Sequence, residues 1–167
     1  MKEAIGGTWV FGIFIAFIAL FTSFMSISAN YSKCYKVKDE ILSAIQINHG
    51  VNEDSLKEIN TYISNIGYNS LGSCPDEGGC WAGFLKTSNN IAHFGREVNY
   101  CIKKNLVTGT VDGNRVGPIG HVDSAYYSVI VFFGLEMPVL HQLFRFEVEG
   151  ETSVVFNNRD LSKIGNC

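Results

Sequence analysis

The sequence predicts an α+β protein in which a long N-terminal helix and a second, shorter helix pack on a small antiparallel β-sheet. Three observations predict this class. The run from Ile5 to Ala29 contains no charged residue, and helical spacing of apolar residues continues beyond it as far as Ile66. From Glu97 onward the apolar residues recur with a period of two, which is typical of strands. We therefore divide the chain into the transmembrane half of the long helix, residues 1–29, and an extracytoplasmic α+β domain, residues 30–167.

The uncharged run is slightly longer than the roughly 20 residues with which an α-helix crosses a hydrocarbon core. Its apolar residues surround the helix, whereas a buried helix of a soluble domain normally keeps a polar face. A secretory signal peptide cleaved after Ser26–Ala29 is the alternative. Against it, only one Lys and one Glu precede the run, and the run exceeds the apolar length usual in signal peptides. We expect a retained single membrane span, and a soluble protein released at Ala29 is the competing hypothesis.

The helical pattern continues past the membrane segment. Apolar side chains recur at steps of three and four, with Lys38 as the one polar residue on their face. They are Tyr31, Cys34, Tyr35, Ile41, Leu42 and Ile45. One helix of about 40 residues, about 60 Å long, is predicted to end at His49–Gly50, where Gly suits a left-handed C-cap. Asn52 then predicts the N-cap of a second helix, with an apolar stripe over Leu56–Ile66 and an end at Gly67.

Strand patterns fill the last part of the chain, after a Gly-, Ser- and Asn-rich region over residues 68–90 that predicts loops. β-Branched and aromatic residues, or strict alternation, mark each predicted strand. The strands are predicted at Glu97–Lys103, Leu106–Val111, Ala125–Phe133, Leu143–Glu149 and Thr152–Phe156. Asp112–Gly113 predicts a hairpin turn after the second of them. An antiparallel sheet follows from these short, turn-separated segments.

The five cysteines indicate an oxidising compartment, because most of them lie beyond an export-type helix. Cys74 and Cys80 bracket a turn-forming Pro-Asp-Glu-Gly-Gly insert and could close a small disulfide loop. Cys167 could join the C-terminus to the sheet, through Cys101. An odd count leaves one thiol over, Cys34 being the one inside the helix, or one bond between chains. The spacing of these cysteines lacks the CxxC pattern of zinc and redox sites.

Composition and motifs argue against several functional classes. The formal net charge is −3 with acids and bases interspersed, which does not indicate a nucleic-acid-binding surface. The four histidines are scattered without metal-ligand spacing, and the sequence contains no P-loop, dinucleotide fingerprint or GxSxG motif. We expect no catalytic residue, no metal site, no cofactor and no nucleic-acid partner, and hence a protein that is not an enzyme.

Two features of the sequence predict opposite directions of insertion of the helix into the membrane. Lys33, Lys36 and Lys38 follow the uncharged run, whereas Lys2 alone precedes it, and the positive-inside rule by itself would place the domain in the cytoplasm. Cysteine usage favours the outside. We expect a single-pass protein of the cell membrane with its C-terminal domain outside.

A helix that is half apolar and half amphipathic, followed by a small antiparallel sheet, resembles the plan of type IV pilins and pseudopilins. The C-terminal third is similar to the TadE/TadG-like minor pseudopilins of tight-adherence pili. In these proteins an aromatic-rich strand meets a Leu-Pro-type break, and a further strand ends in a Gly-Glu/Ser-Thr-like turn. The matching residues are VIVFFGLEMPVL and FRFEVEGETSVVF, within Val129–Phe156. With the helix, the resemblance covers about half the chain.

The resemblance implies a minor subunit of a Tad-type pilus or a related secretion machine, with the membrane, other pilin-like subunits or the assembly platform as partners. It further implies a domain outside the cell membrane, or a component of an extracellular pilus. It also implies processing, for which Gly7–Thr8 is the candidate cleavage site. The chain departs from the family because Trp9–Met25 contains no acid where a Glu at the fifth mature position is usual.

Close packing between subunit helices would use small residues, since these let helix backbones approach in lipid. The candidates are Gly6, Gly7, Gly12 and Ser26. The alternative function is that of a single-pass surface protein whose ectodomain binds a ligand or partner and never polymerises.

Overall fold

The computed structural model describes residues 2–76, 80–92, 96–107, 109–111, 114–116, 124–134, 145–156 and 160–161. The described elements are α1 (Lys2–Ile47), α2 (Glu53–Asn65), β1 (Trp81–Leu85), β2 (Ser88–Ala92), β3 (Tyr100–Leu106), β4 (Gly109–Val111), β5 (Asn114–Val116), β6 (Ser124–Gly134), β7 (Arg145–Glu151) and β8 (Val155–Phe156). A long apolar helix, a second helix and a small antiparallel sheet are all present, which confirms the predicted α+β class.

Helix α1 is one uninterrupted helix of 46 residues. Its end is closed by a hydrogen bond that the Gly50 N–H donates to the Ile45 carbonyl at 2.9 Å. His49 occupies the left-handed position, with φ 53°, and Gly50 follows with φ 132°. The helix therefore ends where the sequence predicts, although the residue in the left-handed conformation is the histidine and not the glycine.

Helix α2 begins and ends as its capping residues predict. The Asn52 side chain accepts a hydrogen bond from the Ser55 N–H, and the Ser55 hydroxyl accepts one from the Asn52 N–H, both at 2.9 Å. This reciprocal pair satisfies two of the donors that a helix start leaves unpaired. At the other end Gly67 has φ 65°, and the Tyr68 N–H reaches back to the Ile63 carbonyl at 3.2 Å.

The buried stripe of α1 differs in part from the predicted one. Tyr31 and Tyr35 are exposed, and Leu42 is only partly buried. The buried side chains are Cys34, Val37, Ile41, Ala44 and Ile45. Tertiary contact with the sheet therefore selects a face that includes Val37 and the small Ala44 and leaves the two tyrosines at its margin.

The main sheet has the strand order β2-β1-β3-β6-β7, with β8 pairing with the start of β6, and all its pairs are antiparallel. Strand β6 contains the strand predicted at Ala125–Phe133, and it pairs with β3, β7 and β8. Strands β4 and β5 form a separate pair with Val111 opposite Asn114, which agrees with a hairpin around the predicted turn. The β1–β2 hairpin corrects the prediction, because most of it lies in the region 68–90 that predicts loops.

Several strand boundaries differ from the predicted ones. Leu106 belongs to β3, so the predicted strand Leu106–Val111 is divided between β3 and the short β4. The next-to-last predicted strand extends to Glu151, and the last one is confined to Val155–Phe156.

Both faces of the sheet are covered. On one face, α1 and α2 close the main core over aromatic and aliphatic side chains of the strands. On the other face, Val98, Cys101, Ile130 and Phe132 form a smaller cluster with Cys74 and Trp81. The sheet is therefore buried on two sides near its centre, which a strict in–out alternation does not predict.

Candidate functional site

The N-terminal half of α1 is the most conspicuous candidate for function. Its large apolar side chains are exposed: Trp9, Val10, Phe11, Ile13, Phe14, Ile15, Phe17, Ile18, Leu20, Phe21, Phe24 and Met25. The most apolar 18-residue window has mean hydropathy 2.4, and none of it is buried. An exposed apolar surface of this size marks contact with a membrane or another protein. By length and composition, this segment fits a single membrane span or a signal anchor.

The dimensions of the exposed segment match those of a bilayer. Trp9 and Tyr31 lie about 33 Å apart along the helix axis, and a hydrocarbon core is about 30 Å thick. Both are amphipathic aromatic residues of the kind enriched at membrane–water interfaces. Between them, the hydroxyls of Thr22 and Ser23 donate to helix carbonyls, at 2.9 Å to Ile18 and 2.8 Å to Ala19. These polar groups therefore need no partner from lipid.

The four small residues predicted for helix packing do not share one face. With about 100° of rotation per residue, Gly12 and Ser26 lie within about 40° of each other, whereas Gly6 and Gly7 lie about 120° or more from Gly12. Three further small residues complete the Gly12 face and were missed by the sequence reasoning. The resulting small-residue stripe is Gly12, Ala16, Ala19, Ser23 and Ser26. A Cβ added at Gly12 meets nothing within 4 Å, so this face is open.

The predicted processing positions lie inside the helix. Gly7 and Thr8 are helical residues of α1, and so are Ser26–Ala29, the exit considered for a signal peptidase. The boundary predicted at residue 29 likewise falls within α1 and not at a loop. The exposed half and the domain are therefore joined by continuous helix.

The junction between the two halves is closely packed on the domain side. Ile27 is the first residue of α1 to pack against the main core, and Cys34 is fully buried below β6. The Cys34 sulfur lies 3.8 Å from the carbonyl oxygens of Val131 and Phe132. Burial raises the pKa of the Cys34 thiol to about 11, with Lys38 acting weakly in the opposite direction. Cys34 is thus a protonated packing residue and not a reactive thiolate.

The disulfide pairing corrects the one suggested by the sequence. Cys74 is bonded to Cys101, with 5.8 Å between their Cα atoms. The small loop from Cys74 to Cys80 is therefore not formed, and Cys101 is not the partner of Cys167. Cys80 is also disulfide-bonded, and Cys167 lies outside the described residues. The Cys74–Cys101 bond attaches Cys74 to β3 on the second face of the sheet.

A buried charged pair joins Asp160 to strand β3 near the turn between α1 and α2. Lys104 Nζ lies 2.7 Å from Asp160 Oδ2, and both side chains are largely buried. Asp160 Oδ1 accepts hydrogen bonds from the Tyr127 hydroxyl at 2.6 Å and the Val51 N–H at 2.8 Å. The Leu161 N–H donates to the Val51 carbonyl at 2.9 Å. This arrangement joins the α1–α2 turn, the sheet and the chain near its C-terminal end.

Other concave or titratable features are modest. A polar cleft of about 210 Å³ lies beside the junction, lined by Asn30, Lys33, Gly67, Tyr68, Asn69, Ser70, Phe133 and Gly134. Burial raises the pKa of Tyr68, whose hydroxyl donates to the Phe132 carbonyl. Among the residues that the structure describes, no group of three or more His, Cys, Asp or Glu side chains could hold a metal ion. Of the histidines, His93, His121 and His141 lie outside the described part.

Comparison with protein-family models, with curated proteins and with solved structures found no match to this chain.

Proposed function

We propose that the chain is a membrane-anchored, pseudopilin-like minor subunit that takes part in assembly or adhesion of a Tad-type pilus or a related secretion machine. The observation that carries the proposal is the single 46-residue helix. Its first half exposes every large apolar side chain from Trp9 to Met25, and its second half packs in the core of a disulfide-bonded domain. Such a helix holds the domain outside the membrane while leaving its own apolar surface available to other helices.

The disulfide supports a location of the domain on the outer side of the membrane. Disulfides form and persist in oxidising compartments and are rare in the cytosol. The lysines that follow the span argue for the opposite direction, but the positive-inside rule states a bias and not a requirement. We give the disulfide more weight than the lysines, because Cys74 and Cys101 both belong to the cluster that covers the second face of the sheet.

Assembly would exchange lipid for neighbouring helices around the small-residue stripe. In lipid, helices associate through close van der Waals packing, and small residues allow the backbones to approach. An isoleucine on this stripe would keep helices apart, whereas the same residue on the opposite face would meet only lipid. Ser26 and Ser28 offer a matched pair, because their positions differ by about 160° around the helix.

The experiment compares Ala19→Ile and Ser26→Ile with the control Ser28→Ile, in the full chain expressed in membranes. We expect the two stripe variants to lose chemical crosslinks to pilin-like subunits or to the assembly platform, and Ser28→Ile to keep them. Membrane insertion and thermal unfolding of the domain should be unchanged in all three. Failure of the unaltered protein to crosslink to any pilin-like or platform protein would contradict the proposal.

A single-pass surface protein that does not polymerise is the second candidate. The observation that favours it is the absence of any acid from Trp9 to Met25, which removes the charge that registers neighbouring pilin subunits in the family the chain resembles. This candidate predicts that all three serine and alanine variants behave alike. A protein released at Ala29 is distinguished from both by the mass of its N-terminal peptide.

A further inference from the structure

Four aromatic side chains lie in contact across one end of the domain. Ring centroids are 4.6 Å apart between Tyr35 and Tyr31, 6.1 Å between Tyr31 and Phe133, and 6.0 Å between Phe133 and Phe146. We call these four residues the aromatic row. Phe133 is buried, but Phe146 is 51%, Tyr31 49% and Tyr35 37% exposed. Three of the four rings therefore present apolar surface at the edge of the domain.

The aromatic row lies at the level where the membrane-spanning half of α1 ends. A Cβ added at Gly150 would contact Lys38 and Leu42, so this residue of β7 marks a level near the middle of the amphipathic half. From Gly150 to Phe146 is about 13 Å along the strand. From the Lys38–Leu42 level to Tyr31 is also about 13 Å along the helix. Phe146 and Tyr31 thus lie at the same level, about 3 Å beyond Ala29, and each contacts the Phe133 ring.

Phe146 is exposed because of its position along β7, and not because it lies on an outward face of the sheet. Val148 lies on the same face of β7, since side chains two residues apart point the same way, and it is buried in the main core. Phe146 is two residues closer to the membrane end. The neighbouring acid, Glu147, points to the opposite face of the strand.

Charged residues of α1 near the row are basic. Lys33 and Lys36 are exposed and lie about 6 and about 10 Å beyond Ala29. The first acids of α1 after Ala29 are Asp39 and Glu40, at about 15 Å or more. The headgroup layer on each side of a hydrocarbon core is about 5 to 8 Å thick. Lys33 therefore lies at the height of the lipid phosphates, Lys36 lies just outside that layer, and the acids lie farther out.

From this position and charge we propose that the aromatic row is a membrane-seating surface, whose exposed rings insert into the glycerol and headgroup layer of the leaflet from which α1 emerges. This inference rests on the proposed membrane span. Tyrosine rings, which have one apolar and one polar part, prefer this layer. The purely apolar Phe146 ring would be removed from water there. This surface would hold the edge of the sheet against the bilayer. It would thereby fix the angle between the domain and the membrane plane.

The test measures lipid contact with single tryptophans in the full chain, reconstituted in phospholipid nanodiscs. The two native tryptophans are replaced, Trp9→Phe and Trp81→Phe, in all variants. Phe146→Trp reports on the proposed seat, and Tyr35→Trp reports on it from the exposed helix surface in case Phe146→Trp fails to fold. Phe156→Trp is the matched control, because Phe156 is 60% exposed and pairs with Ser124, about 30 Å along β6 from Phe133. Phe21→Trp reports separately on the span itself.

We expect lipids with a nitroxide at the headgroup or high on the acyl chain to quench the fluorescence of Phe146→Trp and Tyr35→Trp severalfold more than that of Phe156→Trp. Equal quenching of the seat variants and the control variant would overturn the inference. A Phe146→Trp indole that is shielded from water without lipid quenching, while the protein self-associates, would overturn it too, since a second copy would then cover the row.

The span variant separates failure of the seat from failure of the span. Quenching of Phe21→Trp by a nitroxide deep in the acyl chains, without quenching of the seat variants, rejects the seat and keeps the span. Absence of quenching in Phe21→Trp rejects the span, and the seat with it.

Discussion

Replacing both Cys74 and Cys101 with alanine should lower the free energy of unfolding of the domain by about 3.5 kcal/mol. The bond spans a sequence separation of 27 residues, and closing a loop of that length removes unfolded-chain entropy worth about 3.5 kcal/mol at 25 °C. The loop that this bond closes runs from Cys74, on the second face of the sheet, to Cys101 in β3. The loss of stability should therefore affect the whole sheet.

The assay is denaturant unfolding of the full chain in nanodiscs, with linear extrapolation to water. Trp81 is a suitable reporter because it packs against the cluster that contains the disulfide. The control is Cys34→Ala, which removes one buried sulfur without breaking a bond and should cost only about 1 kcal/mol. Unchanged stability of the double variant would refute the reasoning, as would a non-reducing peptide map that joins Cys74 to Cys80.

Three further predictions concern the packing of the domain. Gly72→Ala should lower the free energy of unfolding by about 1–3 kcal/mol or more in denaturant titration, because the added Cβ overlaps the Phe132 ring. Asp160→Asn should cost about 3–5 kcal/mol in the same titration, because it leaves the Lys104 ammonium buried without its charge partner. The Cys34 thiol should react with iodoacetamide at pH 8 only after unfolding, as followed by intact mass, because burial raises its pKa to about 11.

Each of these has a control within the same chain. Gly12→Ala should leave the unfolding of the domain unchanged, since its Cβ meets nothing within 4 Å. The double variant Lys104→Met/Asp160→Leu should recover most of the loss seen in Asp160→Asn, because it removes both buried charges. Rapid alkylation of Cys34 in the folded protein, or stability unaffected by Gly72→Ala, would show that the packing described is wrong.

The parts of the fold that depend on local chemistry could be predicted from sequence. Asn52 and Gly67 mark the ends of α2 because a capping side chain and a left-handed residue are local requirements. The β-branched and aromatic composition of β6 likewise predicts a strand, because strand propensity can be read locally. Hydropathy finds the exposed half of α1, since the exclusion of charge over such a length has few other causes.

The parts that depend on tertiary contact could not. The sequence does not predict β1, because Ala82 and Gly83 interrupt its pattern of large apolar residues. Pairing with β2 and β3 stabilises this strand although its own strand propensity is low. The buried stripe of α1 includes Ala44 and leaves out Tyr31, because contact with the sheet and with α2 decides which face of the helix is buried. Disulfide connectivity is a property of the folded sheet, and the common level of Phe146 and Tyr31 depends on the register of three elements.

The central claim is that α1 crosses the membrane once and continues into an outer domain. Labelling of intact cells with a membrane-impermeant amine reagent, read by peptide mass, tests it through two lysines. Lys57 lies on the exposed surface of α2, and Lys2 precedes the apolar run. We predict that Lys57 is labelled on intact cells and Lys2 only after lysis. Labelling of Lys2 with protection of Lys57, or equal labelling of both before lysis, would contradict the claim.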